Sequence, residues 1–242
     1  MRILGLTAAM GVFLATGTAA WAFPTGAPGN FTGSPASGSM TCTLCHTDGG
    51  GGAGSVDLLG RPKRYLPGRV YDLRVRIFDP GQMGAGFEIS VETPDGTQAG
   101  ELILADTADT QFAGADPAYV THTLEGHEAR EPAMQANGWC AFPVRWQAPM
   151  TDIGPIVFYL AGNATNEDGT SLGDHVYNAA IEAGFNHCPP DVNGDGTVDG
   201  VDIAYLLSAW GTPGPDADMT GDGLIDSADL VSLLAGWGPC AP

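Results

Sequence analysis

The feature that most constrains the fold is a tandem repeat near the C-terminal end. Two Asp- and Gly-rich loops of twelve residues, 191–202 and 218–229, begin 27 residues apart and agree position by position. Each loop is followed by a short apolar run that ends in Trp-Gly, at Trp210-Gly211 and at Trp237-Gly238. The repeat therefore predicts two successive loop–helix units.

The spacing of oxygen-bearing residues within each loop predicts calcium binding. Side-chain oxygens stand at positions 1, 3, 5, 9 and 12, position 6 is Gly, and position 7 offers its backbone carbonyl, which is how a 12-residue loop wraps Ca²⁺. The alternative is a pair of Asp/Gly turns without metal, but so many carboxylates packed together without a cation would repel one another. The predicted ligands are Asp191, Asn193, Asp195, Thr197, Asp199 and Asp202 in the first loop, and Asp218, Thr220, Asp222, Leu224, Asp226 and Asp229 in the second.

Two departures from an ordinary EF-hand give this region a family resemblance. Position 12 is Asp in both loops rather than Glu, and Cys188-Pro189-Pro190 cannot form an entering helix before the first loop. Residues 188–240 closely resemble a type I dockerin module, and Cys188 with the terminal Gly236-Trp237-Gly238-Pro239-Cys240 resembles its GC-type variant.

The dockerin resemblance implies a small α-helical calcium module clamped by a Cys188–Cys240 disulfide. It also implies docking to a cohesin-like receptor, or another form of attachment at the cell surface. The residues after the ninth ligand, Gly200-Val201 and Ser227-Ala228, are not the paired Ser/Thr of the best-known cellulosomal dockerins. The receptor is therefore not identified by the resemblance.

Residues 1–22 have the pattern of a secretory signal peptide. Arg2 is followed by an apolar stretch, and Ala20-Trp21-Ala22 supplies small residues for cleavage before Phe23. The alternative is an uncleaved membrane anchor, although the run is short and diluted by Gly and Thr. We expect a mature chain without a membrane span, secreted to a compartment where disulfides persist.

The central region, residues 56–185, reads as a series of short strands. Alternating apolar and polar residues recur in segments separated by turn signals such as Pro67-Gly68 and Pro94-Asp95-Gly96. Seven or eight strands spaced in this way predict an antiparallel, Ig-like β-sandwich. The predicted strands are 70–77, 87–91, 101–105, 119–124, 139–146, 155–161 and 176–182. The preceding residues 23–55 show neither the two-residue alternation of a strand nor the 3.6-residue period of a helix, and we predict that they are irregular.

The irregular segment contains Cys42-Thr43-Leu44-Cys45-His46, which is the spacing for covalent attachment of haem c. Cys42 and Cys45 can form thioethers to the two vinyl groups, and His46 is placed to bind iron from one face. A Cys42–Cys45 disulfide, a partial zinc site and a chance match remain as alternatives.

Residues 23–183 resemble the bacterial Reeler-type domain called choice-of-anchor V. The resemblance implies a Reeler-type β-sandwich that carries a Cys-x-x-Cys-His segment and a recurrent His in a middle strand, joined to an interchangeable anchor. The matching pieces are Thr25-Gly26-Ala27-Pro28-Gly29, Cys42 to His46, Tyr65-Leu66-Pro67-Gly68-Arg69-Val70-Tyr71, Gly86-Phe87, Gln98-Ala99-Gly100, Thr121-His122-Thr123, and the stretches 158–169 and 173–177.

The resemblance favours His122 as the second axial ligand of a haem iron, opposite His46. Other side chains of a suitable type compete for that role: His127, His175, Met134 and Met150. The Asn-, Asp- and Gly-rich stretch 163–174 is interpreted as turns, because such residues bond to their own backbone. Cys140 lies in a predicted strand and is interpreted as a buried thiol.

The charge balance and the motifs together limit the classes of function that the chain can have. With 9 Lys+Arg against 28 Asp+Glu and a net charge of −19, the chain cannot be a general nucleic-acid binder. No catalytic Ser/His/Asp arrangement or phosphate-binding loop is found, so we predict a protein that is not an enzyme. The favoured function is a surface-anchored c-type haem protein for electron transfer or redox sensing, which implies an unidentified redox partner. The alternatives are a non-catalytic adhesion module and an accessory protein of a polysaccharide-degrading assembly.

Overall fold

The computed structural model describes residues 23–46 and 52–240, and its larger part is a sandwich of two β-sheets. The predicted signal peptide, residues 1–22, lies outside the described residues. The strands of the sandwich are β1 Ser55–Leu59, β2 Arg64–Tyr65, β3 Val70–Phe78, β4 Gly84–Glu92, β5 Glu101–Ile103, β6 Thr110–Phe112, β7 Val120–His122, β8 Trp139–Gln147, β9 Ile156–Thr165 and β10 His175–Phe185.

The two sheets have different sizes and enclose one core. The smaller sheet has the order β1-β3-β8-β5, and the larger has the order β2-β10-β9-β4-β7-β6. All pairings are antiparallel except β2 with β10, which run parallel. On β3 the residues Tyr71, Leu73, Val75 and Ile77 are buried, and they pack toward the larger sheet because successive side chains of a strand point to opposite faces. The predicted mainly-β sandwich is thereby confirmed.

Strand β4 is buried on both faces because the N-terminal segment covers the outer face of its sheet. The backbone N–H of Phe31 donates to Oε1 of Glu88 at 2.8 Å, and that of Ala36 donates to Oε2 of Glu92 at 3.1 Å. A third contact joins Thr32 to Ser90 through their hydroxyls at 3.0 Å. The segment predicted to be irregular therefore has a fixed place on the sandwich.

A helix that the sequence pattern does not indicate lies between β7 and β8. This helix, α1, spans Leu124–Asn137, begins at the N-cap Thr123 and ends at Gly138 in the left-handed conformation with φ of 71°. It contains Pro132 and has no clear apolar stripe, which hides it from periodicity. It packs on β4 and β8 and adds a wall beside the end of β7.

The C-terminal region contains the two predicted loop–helix units, α2 Gly200–Ser208 and α3 Ser227–Ala235. A short pairing of β11, Thr197–Val198, with β12, Gly238–Pro239, connects the first loop to the chain end. A disulfide joins Cys188 to Cys240 beside a small core of its own. The predicted order of a β-sandwich followed by a helical module is confirmed.

Candidate functional site

The main cavity of the described residues is a pocket of about 400 Å³ between the N-terminal segment and the end of the larger sheet. Its walls are mostly apolar, and they come from parts of the chain that are distant in sequence. The apolar lining residues are Phe23, Pro24, Ala27, Pro28, Phe31 and Phe87. The polar lining residues are Cys42, Cys45, His46, His122, His127, Asn163, Thr165, Glu167 and Thr170.

The Cys-x-x-Cys-His residues reach this pocket from a single 3₁₀ turn, Cys42–Leu44. The backbone N–H groups of Cys45 and His46 both donate to the carbonyl of Cys42, at 3.2 and 3.0 Å. Both thiols are unpaired, and all three motif side chains line the pocket. Burial, with the charge of Glu88 as a smaller cause, raises the pKa of the Cys42 thiol to about 12.

His46 is oriented by a buried carboxylate. Its Nδ1 donates to Oδ2 of Asp174 at 2.7 Å, and the Asp174 side chain is 1% exposed. The other carboxylate oxygen accepts the backbone N–H of Asn166 at 3.1 Å. A histidine that donates one ring N–H to a carboxylate presents its other nitrogen to a metal. The sequence-based interpretation of 163–174 as turns missed this role of Asp174, for which no local pattern gives a signal.

His122 enters the same pocket from the end of β7. Its Nδ1 accepts the backbone N–H of Phe87 at 3.2 Å, with the hydroxyl of Thr121 at 3.3 Å. A Cβ at Gly86 would lie 2.4 Å from the ring, so glycine there leaves the space that His122 occupies. Burial, with neighbouring His127 as a smaller cause, lowers the pKa of His122 to about 3, and its ring is neutral at physiological pH.

The competing axial candidates have different surroundings. His127 on α1 also lines the pocket, and its ring centroid is 5.8 Å from that of His122. His175 contacts Asp79 at 2.6 Å and does not line the pocket, Met134 is buried in the core, and Met150 is 74% exposed. The structure thus brings His46, His122 and His127 together and leaves the other three apart from them.

The two Asp-rich loops have the same internal hydrogen bonds. Asp191 accepts the backbone N–H groups of Gly194 at 2.7 Å and Gly196 at 3.0 Å, and Asp218 accepts those of Gly221 and Gly223 at the same distances. The glycines at position 6 have φ of 91° and 89°, a conformation that favours glycine. Each loop therefore closes around its first Asp.

The last carboxylate of each loop is completely buried. Asp202 accepts the backbone N–H groups of Asn193 and Asp199 at 3.0 and 2.9 Å, and it forms a capping box with Asp199 at the start of α2. Asp229 accepts the backbone N–H groups of Thr220 and Asp226 and forms the corresponding capping box at the start of α3. Both side chains are 0% exposed. Buried carboxylates need compensating positive charge, which is the environment expected at a cation site.

Two arginines of the sandwich contact these loops, which no sequence pattern indicated. Arg64 on β2 donates to the carbonyl of Asp191 and lies 3.5 Å from its carboxylate. Arg69, just before β3, donates to both the carbonyl and the carboxylate of Asp218. Arg64 on β2 and Arg69 on the connection from β2 to β3 therefore contact the first residue of each loop.

A known protein family matches the C-terminal region. Residues 189–234 match the dockerin type I domain. Within this dockerin region, the match contains both predicted calcium loops and most of α2 and α3. No curated protein matches the chain.

Solved structures resemble the chain at low sequence identity. The Reelin-N domain of F-spondin is 20% identical, with a TM-score of 0.40, over 60% of this chain and 94% of that chain. A human F-spondin reeler domain is 18% identical, with a TM-score of 0.37, over 54% and 88% of the two chains. A type II cohesin domain from the cellulosome of Acetivibrio cellulolyticus is 10% identical, with a TM-score of 0.27, over 51% and 94%.

The longest helix of the described residues is α1, with 14 residues. Among residues 23–46 and 52–240, no helix has both the length and the apolar character needed to cross a bilayer.

Proposed function

We propose that this chain is an exported c-type haem protein for electron transfer or redox sensing, held at the cell surface by its dockerin region. The observation that carries the proposal is that Cys42, Cys45, His46 and His122 line one apolar pocket. His122 is far from the other three in sequence, so only folding places it there. Binding of the iron by both His46 and His122 would leave it no open position for a substrate, which suits electron transfer rather than substrate turnover.

Three features of the pocket fit haem c. Both thiols are unpaired, His46 is already bonded to Asp174 through Nδ1, and glycine at position 86 lets the His122 ring pack against β4 at the pocket. Aromatic and aliphatic side chains such as Phe31 and Phe87 form the walls. A macrocycle with an apolar face and two points of attachment matches this combination.

Each residue of the site would have a defined task. Cys42 and Cys45 would hold the group through thioethers, and His46 and His122 would provide axial nitrogens. When bound, haem c supplies reversible one-electron transfer. Asp174 fixes the ring orientation of His46 and raises its basicity. Because Nδ1 of His122 accepts the backbone N–H of Phe87, the proton of the neutral ring lies on Nε2. To offer Nε2 to the iron, His122 would have to give up this hydrogen bond and carry its proton on Nδ1, where the hydroxyl oxygen of Thr121 lies at 3.3 Å.

We infer that the two Asp-rich loops bind calcium. The buried carboxylates of Asp202 and Asp229 and the nearly buried Asp191 and Asp218 support this, together with the dockerin match. Calcium addition should increase helical circular dichroism with a stoichiometry of two ions per chain. An unchanged spectrum and no bound calcium would contradict this part.

The dockerin region would attach the chain to a cohesin-like receptor. Several apolar side chains of its two helices and their ends are exposed, which favours contact with a partner. They are Val201, Tyr205, Leu207, Trp210, Val231, Leu234 and Trp237. A role as an accessory of a polysaccharide-degrading assembly rests on the dockerin match alone.

Intact mass spectrometry of the secreted protein tests the haem proposal. Coexpression with a haem-attachment system should yield a mature chain heavier by one haem, and the C42S/C45S double variant should lack this addition. Recovery of the wild-type chain with a Cys42–Cys45 disulfide and no added mass would instead support the adhesion module.

A further inference from the structure

A second cluster of metal-type ligands lies beside the pocket and uses none of the Cys-x-x-Cys-His residues. His127 and Glu131 stand one turn apart on α1, and Glu167 follows the end of β9. One ligand atom from each lies within 4.8 Å of the others. Among the described parts of the chain, no other group of three His, Cys, Asp or Glu side chains meets this criterion.

The hydrogen bonding of His127 determines which nitrogen faces the glutamates. Its Nδ1 lies 2.9 Å from the backbone carbonyl of Ala85, which can only accept, so Nδ1 carries a proton. In the neutral ring, Nε2 then presents its lone pair to Oε2 of Glu167 at 3.4 Å and Oε1 of Glu131 at 3.8 Å. A lone pair facing two carboxylates is repulsive unless a cation or a second ring proton lies between them.

The separations leave room for a cation between the three ligand atoms. The 3.4 Å contact of His127 with Glu167 is at the long limit of a hydrogen bond, and the 3.8 Å contact with Glu131 exceeds it. Two ligand atoms on a tetrahedral ion, with bonds of about 2.0–2.2 Å, lie about 3.4 Å apart. The distances of 3.4 and 3.8 Å are close to that value.

The three side chains are held in place from outside the cluster. The backbone carbonyl of Ala85 fixes the ring of His127, as at many metal-bound histidines. The hydroxyl of Thr165 donates to Oε1 of Glu167, the oxygen that does not face His127. The side chain of His127 is 8% exposed, while those of Glu131 and Glu167 are 32% and 26% exposed. An ion can therefore enter from the glutamate side.

We propose that His127, Glu131 and Glu167 bind one divalent first-row cation of the zinc type. One imidazole and two carboxylates are hard-to-intermediate ligands that suit such an ion. Three protein ligands leave a fourth position, and His127 and Glu167 both line the pocket. This site is distinct from the haem and calcium sites and goes beyond the proposed function.

The proposal is tested by titrating zinc into the full chain while the calcium loops are saturated. Calorimetry measures the affinity and the number of zinc ions bound. We expect one zinc ion per chain in addition to calcium. E131Q and E167Q should each weaken zinc binding by at least about tenfold, because each removes a ligand from the ion. E128Q, which changes an exposed glutamate on the same helix, should bind zinc like the wild type.

A second variant separates this site from the thiols. C42S/C45S should retain the zinc ion, because the proposed ligands are intact. Loss of zinc in C42S/C45S, with full binding in E131Q and E167Q, would place the ion on the cysteines and overturn the proposal. Absence of zinc binding to the wild type would also overturn it.

Discussion

Nδ1 of His46 donates to Oδ2 of Asp174 at 2.7 Å, across 128 residues of sequence. The amide of Asn163 lies 3.4 Å from Nε2, the nitrogen that remains. Because the second oxygen of Asp174 is also bonded, the carboxylate is satisfied and the ring is fixed in orientation. The histidine of the Cys-x-x-Cys-His motif is therefore positioned by the sandwich rather than by its own turn.

Replacement of Asp174 by Ala should destabilise the fold and alter the iron site. Loss of a charge-assisted hydrogen bond should lower the free energy of unfolding by roughly 1.5–3 kcal/mol. A less basic His46 should also raise the reduction potential of the attached haem. Chemical denaturation and potentiometry measure the two effects. E182Q, at an exposed position of β10, should change neither, and a wild-type potential in D174A would refute the orienting role.

Replacement of His122 by Ala should remove the proposed second ligand of the haem iron. The iron spectrum should change from low-spin to high-spin, because the neighbouring imidazole of His127 is held by the carbonyl of Ala85 and faces Glu167. Visible absorption of the ferric and ferrous protein detects this change. H175A should retain the wild-type spectrum, since His175 lies outside the pocket. A spin change in H127A but not in H122A would transfer the role to His127.

Glu88 should make stability fall as the pH rises from about 4.5 to 7. Burial raises the pKa of this carboxyl from 4.5 to about 7, and among residues 23–46 and 52–240 its Oε2 has no hydrogen-bond partner. Between these values the folded chain binds more protons than the unfolded chain, so raising the pH favours unfolding. The change amounts to about 3 kcal/mol. Urea denaturation across this pH range should show that the free energy of unfolding declines in the wild type and in the control E182Q, but not in E88Q. An undiminished decline in E88Q would exclude Glu88 as its source.

Arg64 and Arg69 should oppose calcium binding, because each places a positive charge on the first carboxylate of a loop. Near Asp218, the side chain of Arg69 is only 13% exposed, so solvent screens its charge weakly. R64A/R69A should bind calcium roughly three- to tenfold more tightly than the wild type by calorimetry. R145A, whose arginine pairs with an exposed Asp72, is the control. Equal affinities in all three proteins would contradict the prediction.

Local patterns predicted the elements that depend on local sequence. The alternating strand β3 and the two loop–helix units lie where the sequence patterns predicted them. The helix α1 was missed because Gly126 and Pro132 obscure its periodicity, and tertiary packing stabilises it instead.

The candidate site depends on long-range contacts that no local pattern contains. Asp174 bonds to His46 across the fold, and Gly86 admits the ring of His122 from a neighbouring strand. Arg64 and Arg69 meet the C-terminal loops only because the β2–β3 connection folds against them. The sequence suggested His46 and His122 as separate candidate ligands. That both side chains line one pocket could be seen only from the packed sandwich.

The visible spectrum of the denatured protein tests the central claim most directly. Secreted wild-type chain, made together with a haem-attachment system, should keep its Soret band in guanidinium after acid–acetone extraction, because thioethers to Cys42 and Cys45 survive unfolding. C42S/C45S should lose the band under the same treatment. A wild-type chain that is fully folded, carries no Soret band and yields no haem on extraction would contradict the account.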